Sequence, residues 1–208
     1  MSPGVCKKER GDRLGHLERY HRPRPTSCEA ATDTAPSPDP VRDPKGYQNH
    51  LLVLLGDDDP AAVQAGTPPA LHRLVREAGS DLRTRPEPEE WSVVECLAHM
   101  VDAEIVMSGR YRFILAHDEP PLIGYDQDLW VERLHANEDV GELLLLFGAL
   151  RQANIALWQR TPAELRQRVG IHSERGPESF DLSFRMIAGH DRFHAGQAKR
   201  ALSAIRGA

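Results

Sequence analysis

From residue 46 onward, apolar side chains recur every three or four positions, the spacing of helices that bury one face. Leu51–Leu55 is an apolar run, and Asp59-Pro60 pairs a capping residue with proline at the first helical position. Thr67-Pro68 repeats that signature and predicts a helix through Ala70, Leu71, Leu74 and Val75 toward Gly79. Arg85-Pro86-Glu87-Pro88 breaks the pattern. Ser92-Val93-Val94-Glu95 is a capping box, with Trp91 placed to staple onto Cys96. The long helix it opens runs to about His117, before Pro120-Pro121. A short helix is predicted over Asp126–His135. Asp139 caps another long one, with Val140, Leu143, Leu144, Phe147, Leu150 and Trp158 on its apolar side. Thr161-Pro162-Ala163-Glu164 is a further capping box. After a turn at Gly176-Pro177, Ser179 caps the last long helix, which runs to about Ile205. No stretch alternates with period two for long, and no β-α-β pattern occurs. Four long helices joined by loops predict an all-α fold, a four-helix bundle.

Residues 1–45 differ. They hold seven of the 16 prolines and only Val5, Leu14, Leu17 and Val41 as aliphatic side chains larger than alanine. Pro36-Ser37-Pro38-Asp39-Pro40 suits no regular helix. The expectation is a disordered N-terminal extension over 1–45 and one helical domain over 46–208. The extension carries a charge of +2 and the remainder −7, within a chain total of −5. That balance offers no footprint for nucleic acid or an anionic membrane. No apolar run approaches the length that crosses a bilayer, and Met1–Arg13 lacks the apolar core of a secretory signal. Three scattered cysteines, Cys6, Cys28 and Cys96, exclude a disulfide scaffold and fit a reducing cytoplasm.

The last helix carries the candidate chemistry. At about 100° per residue, one face collects Ser183, Met186, Ile187, His190, His194, Gln197, Ala198, Ala201 and Ile205. Arg185, Arg192 and Lys199 lie opposite. His190 and His194 therefore sit one turn apart on the buried face and point at one spot, as two ligands of one metal do. The competing reading is a hydrogen-bonded pair of core histidines. A divalent ion needs a further protein ligand, and His99 is the best candidate, although a helical wheel turns it away from the Val94–Leu97–Val101–Ile105 stripe and permits a solvent-exposed ring. His16 and His21 lie in the extension. His50, His72, His117 and His135 read as surface residues, and His172 could edge a pocket. H-x-x-x-H invites a zinc-protease reading, but position 191 is Asp and no acidic residue or histidine follows His194. No G-x-S-x-G, P-loop or dinucleotide fingerprint occurs, and Cys96 packs beneath Trp91 rather than serving as a nucleophile.

Trp91-Ser92, His99-Met100 and the distant His190-Asp191-x-x-His194-x-x-Gln197 resemble, in order and spacing, the DinB/YfiT-like superfamily of metal-dependent four-helix bundles. The resemblance covers roughly residues 47–206, including the Pro120-Pro121…Tyr125-Asp126 loop and the His172–Gly176 loop. It implies one divalent transition metal, nickel or zinc, held by His99, His190 and His194. It also implies an enzyme of thiol S-transferase or hydrolase type, in some relatives with a low-molecular-weight thiol. Three neutral imidazoles leave positions open for water or substrate. Gln197 lies one turn beyond His194 and could bond an imidazole or the bound ligand; it reads equally as a satisfied core amide. Asp102, one turn after His99, reads first as a solvated carboxylate and second as a base or imidazole partner. Arg151 and Asn154 interrupt an apolar stripe and either line the pocket or mark the stripe's edge. The expected partner is a small-molecule substrate, with no nucleic acid and no membrane, in a possible homodimer. The alternative function is a non-catalytic metal-binding or structural bundle that works by association.

Overall fold

The computed structural model describes residues 38–207. The extension expected over 1–45 lies, through residue 37, outside the described residues, as do His16 and His21. Ordered helix begins two residues ahead of the expected boundary. Helix α1 spans Pro44–Leu55, and the Asp43 side chain caps it by accepting from the Gly46 N–H at 2.9 Å. The other helices are α2 (Pro60–Ala78), α3 (Val93–Ala116), α4 (Gln127–Leu134), α5 (Val140–Arg160) and α6 (Phe180–Gly207).

The capping chemistry works largely as the sequence predicts. Asp59, Asp126, Asp139 and Ser179 each accept a backbone N–H from the first turn of α2, α4, α5 and α6. Both arms of the Ser92–Glu95 box are formed at the start of α3. Two signals mislead. Thr67-Pro68 does not open a helix: α2 runs through Pro68 and Pro69, and Thr67 turns its hydroxyl to Asp191 instead. Thr161-Pro162 opens only a 3-10 turn at Leu165–Gln167.

Helices α2, α5, α3 and α6 form a closed ring in which each packs on the next, with α1 laid along α6. Helices α3 and α6 run antiparallel. Cys96 of α3 meets Ala198 and Leu202 at one end, and Tyr111 and Ile114 meet Phe180 and Phe184 at the other. Helix α1 approaches α6 so closely that a Cβ on Gly189 would lie 1.9 Å from the Leu51 carbonyl oxygen. Helix α5 has the length and mean hydropathy to cross a bilayer, with Leu145 74% exposed. Its Arg151 and Asn154, however, are buried and bonded to α3 and α6, which fixes it as a wall of the bundle.

The sequence pattern missed a small sheet. Strand β1 (Pro121–Leu122) pairs in parallel with β2 (Val169–His172), which pairs antiparallel with β3 (Gly176–Ser179). Strands of two to four residues are too short to show alternation. The sheet ties the loop after α3 to the start of α6.

Candidate metal centre

Two turns into α3, His99 meets the middle of α6. Its Nε2 lies 3.0 Å from Nε2 of His190, and its ring centroid is 4.4 Å from that of His194. One ligand nitrogen from each of the three rings lies within 4.8 Å of the others. All three side chains are buried, His99 to 2% exposure. Nitrogens bound to one ion at about 2.0–2.1 Å sit roughly 3 Å apart, so the spacing suits a shared cation.

Burial is the main cause that holds the imidazoles neutral. It pushes His99 and His190 well below the ordinary histidine value, helped by the neighbouring imidazoles, and brings His194 down to about 4. Neutral rings are the form a metal binds. Gln197 sorts the nitrogens of His194. Its Oε1 is an acceptor only, so at 2.9 Å it accepts a hydrogen bond from Nδ1–H, which places the ring proton on Nδ1 and leaves the Nε2 lone pair free. That Nε2 is buried and has no hydrogen-bond partner. An orphaned, buried lone pair beside two facing nitrogens fits a divalent ion and fits a satisfied histidine core poorly.

Aromatic rings collar the three histidines. Trp91 lies 5.0 Å from His99 and stacks on His194 at 6.0 Å. Phe193 meets His194 edge-on at 4.8 Å, and Tyr125 stands 6.5 Å from His99. Trp91 also packs on the cluster that contains Cys96, whose thiol burial pushes up to about 12. That thiol is no nucleophile at neutral pH.

Residues 63–198 match the sequence profile of the DinB superfamily. The chain belongs to the DinB superfamily. A protein of Oceanobacillus iheyensis named a "putative metal-dependent hydrolase" is 22% identical over 113 residues, 54% of this chain, and the match spans 65% of that relative. Among solved structures, YfiT from Bacillus subtilis is described as "a probable metal-dependent hydrolase with an unusual four-helix bundle topology". It matches with a TM-score of 0.63 at 19% identity, over 78% of this chain and 89% of YfiT, a likeness that bears on the fold alone.

In this DinB-superfamily chain the remaining candidate residues divide by place. Asp102 is not solvated. It is buried one turn past His99 and bonds His135 Nε2 at 2.7 Å. His135 is accordingly not a surface residue; its Nδ1 bonds Glu138 at 3.1 Å. Arg151 and Asn154 do not line the centre but lie behind it. Arg151 grips Asp191 through both terminal nitrogens and Glu104 at 2.8 Å, while Asn154 donates to Glu104 at 2.8 Å and Ser108 at 2.6 Å. Asp191 also accepts from Thr67 at 2.7 Å, so one carboxylate links α2, α5 and α6 directly beside His190. His172 is buried at the end of β2, its Nδ1 accepting the backbone N–H of Glu174 at 3.1 Å. Sequence reasoning missed Asp191, Glu104, Tyr125, Phe193 and His135. The Asp102–His135 contact joins residues 33 positions apart, which no local spacing reveals.

Proposed function

We propose that this protein is a divalent-metal-dependent enzyme of hydrolase type acting on a small molecule. The observation that carries the reading is the convergence of three neutral, buried imidazoles, one with an orphaned Nε2, inside an aromatic collar. The names of the relatives favour hydrolysis, with water as the nucleophile; a low-molecular-weight thiol in its place would make the reaction an S-transfer. His99, His190 and His194 would hold the ion; the resemblance to the superfamily implies nickel or zinc, and three imidazole nitrogens suit either. When bound, it would supply Lewis acidity, lowering the pKa of a water or thiol in reach.

The chain's own groups supply the rest. Gln197 fixes the His194 tautomer. Asp102 Oδ2, His135 and Glu138 form a hydrogen-bonded file from the buried Asp102 carboxylate to the partly exposed Glu138. Burial raises the pKa of Asp102, which makes it a better acceptor for a proton leaving the nucleophile. Trp91, Phe193 and Tyr125 keep water off the non-reacting part of the substrate.

Elemental analysis of purified protein should show close to one transition metal per chain, lost in His99→Ala, His190→Ala and His194→Ala. Ester, amide and thiol-acceptor panels should then separate hydrolysis from S-transfer. Full activity in the metal-free variants overturns the reading.

A further inference from the structure

We infer that, further along α3 from His99, a second subsite binds an oxyanion of the substrate, a carboxylate or a phosphoryl group, with Arg110 as its anchor and Arg175 beside it. The inference rests on the metal-enzyme reading for its role in turnover but not for its geometry.

His99, Asp102, Val106 and Arg110 follow one another at helical spacing along a single stripe of α3. The guanidinium of Arg110 reaches back to Met107 Sδ at 3.7 Å and to the Ile123 carbonyl. It therefore lies on the order of 10 Å from the imidazoles. Tyr125 bridges the gap: two residues after Ile123, it stands beside His99 and within the electrostatic reach of both Asp102 and Arg110.

Arg110 is 8% exposed, its Nε is buried without a partner, and no carboxylate among the described residues forms an ion pair with it. The groups around it do not cancel its charge. Arg175 is committed to Glu178, which is fully buried and also takes a bond from Gln48 of α1 at 3.4 Å. Arg110 lies within the electrostatic reach of both Arg175 and Glu178, so two guanidinium groups share one buried carboxylate, leaving a net positive charge there inside a chain whose total is −5. Lys45 on α1 adds to the positive side and is exposed, and Glu174 in the loop between β2 and β3 is exposed too. His172 stays neutral: burial, with Arg175 next, brings it down to about 4. The hydroxyls of Tyr47, Tyr111 and Tyr125 keep their protons because they are buried. A buried cation that shares one buried carboxylate with a second cation is under-compensated, and on the same helix stripe as the candidate metal ligand His99 the natural further counter-charge is the substrate's own.

The test uses the full chain. Inorganic phosphate and succinate are titrated against sodium chloride at matched ionic strength, before and after chelation, with thermal unfolding as the readout. The expected result is saturable stabilisation beyond that of chloride, retained after chelation, absent in Arg110→Gln and weakened at least fivefold in Arg110→Lys. The stronger of the two probes distinguishes a phosphoryl from a carboxylate ligand. The Arg110 Nε–H resonance, assigned by its loss in Arg110→Lys, should shift during the wild-type titration, which covers the case in which Arg110→Gln fails to fold. No saturable effect, or an unmoved resonance, overturns the subsite. So does stabilisation that vanishes on chelation, since it places the anion on the metal. Anion binding in a protein that never takes up metal would instead overturn the metal reading and leave the subsite standing.

Discussion

An imidazole offers a lone pair only from the nitrogen without a proton, so the Gln197 contact sets how well His194 can serve a metal. Gln197→Leu removes the acceptor and frees both tautomers of His194. A loss of about 10–100-fold in metal affinity follows, with the fold retained. Competition with a coloured chelator measures it, and Gln197→Glu, which keeps an acceptor, should retain affinity. An unchanged affinity in Gln197→Leu would mean that the ring is oriented by packing against Trp91 and Phe193 alone. The ease with which each ligand could be seen in the sequence has a physical cause. Helix α6 keeps Arg185, Arg192 and Lys199 in solvent, so the face that holds His190 and His194 stands out. Helix α3 buries 16 of its 24 residues, on nearly every side, so a wheel has no outside from which to judge His99.

At the scale of elements, position within the bundle depends on two close contacts that periodicity does not encode. One is the approach of α1 to Gly189. In Gly189→Ala the new Cβ meets the Leu51 carbonyl, a backbone atom that moves only if the helix moves. A loss of about 1–3 kcal/mol in urea unfolding is expected, together with weaker metal binding, because the neighbouring residue is His190. The other is the buried ion cluster. Arg151→Met strands Asp191 and Glu104 inside the protein and should cost about 3–5 kcal/mol. Adding Asp191→Asn and Glu104→Gln to that variant should restore much of the loss, since neutral groups of the same shape need no counter-charge. If the single variant is as stable as wild type, the cluster is hydrated rather than paired. Apart from Asp43, whose cap lies among the prolines before α1, element starts were legible at Asp59, Ser92, Asp126, Asp139 and Ser179. They were not at Thr67-Pro68, where the hydroxyl serves a partner 124 residues away. The strands were invisible because their pairing, not their composition, defines them.

For the whole molecule, the neutral imidazoles couple folding, acidity and metal uptake. The unfolded chain takes up protons on these rings near pH 6.5, whereas in the folded state His194 and His172 wait until about pH 4 and His99 and His190 are pushed well down as well. Between those limits the unfolded state binds more protons, so metal-free protein is most stable above about pH 6.5 and loses stability as the pH falls toward 4. The slope is about 1.4 kcal/mol per pH unit for each ring that remains neutral. Asp102 and Glu104 act in the opposite sense. Burial raises their pKa, so they take up protons in the folded state before the unfolded chain does and offset part of the loss at the acid end. A metal that binds only the neutral rings adds about 2.7 kcal/mol at a hundredfold excess over its dissociation constant, and that increment shrinks with the same acidification. Urea unfolding over a pH series, with and without chelator, separates the two effects. His190→Ala should lose the metal increment entirely and flatten the acid slope by about one ring's share. A slope that stays the same in His99→Ala, His190→Ala and His194→Ala would assign the protons elsewhere, and the claim that burial keeps these rings ready for a metal would fall with it.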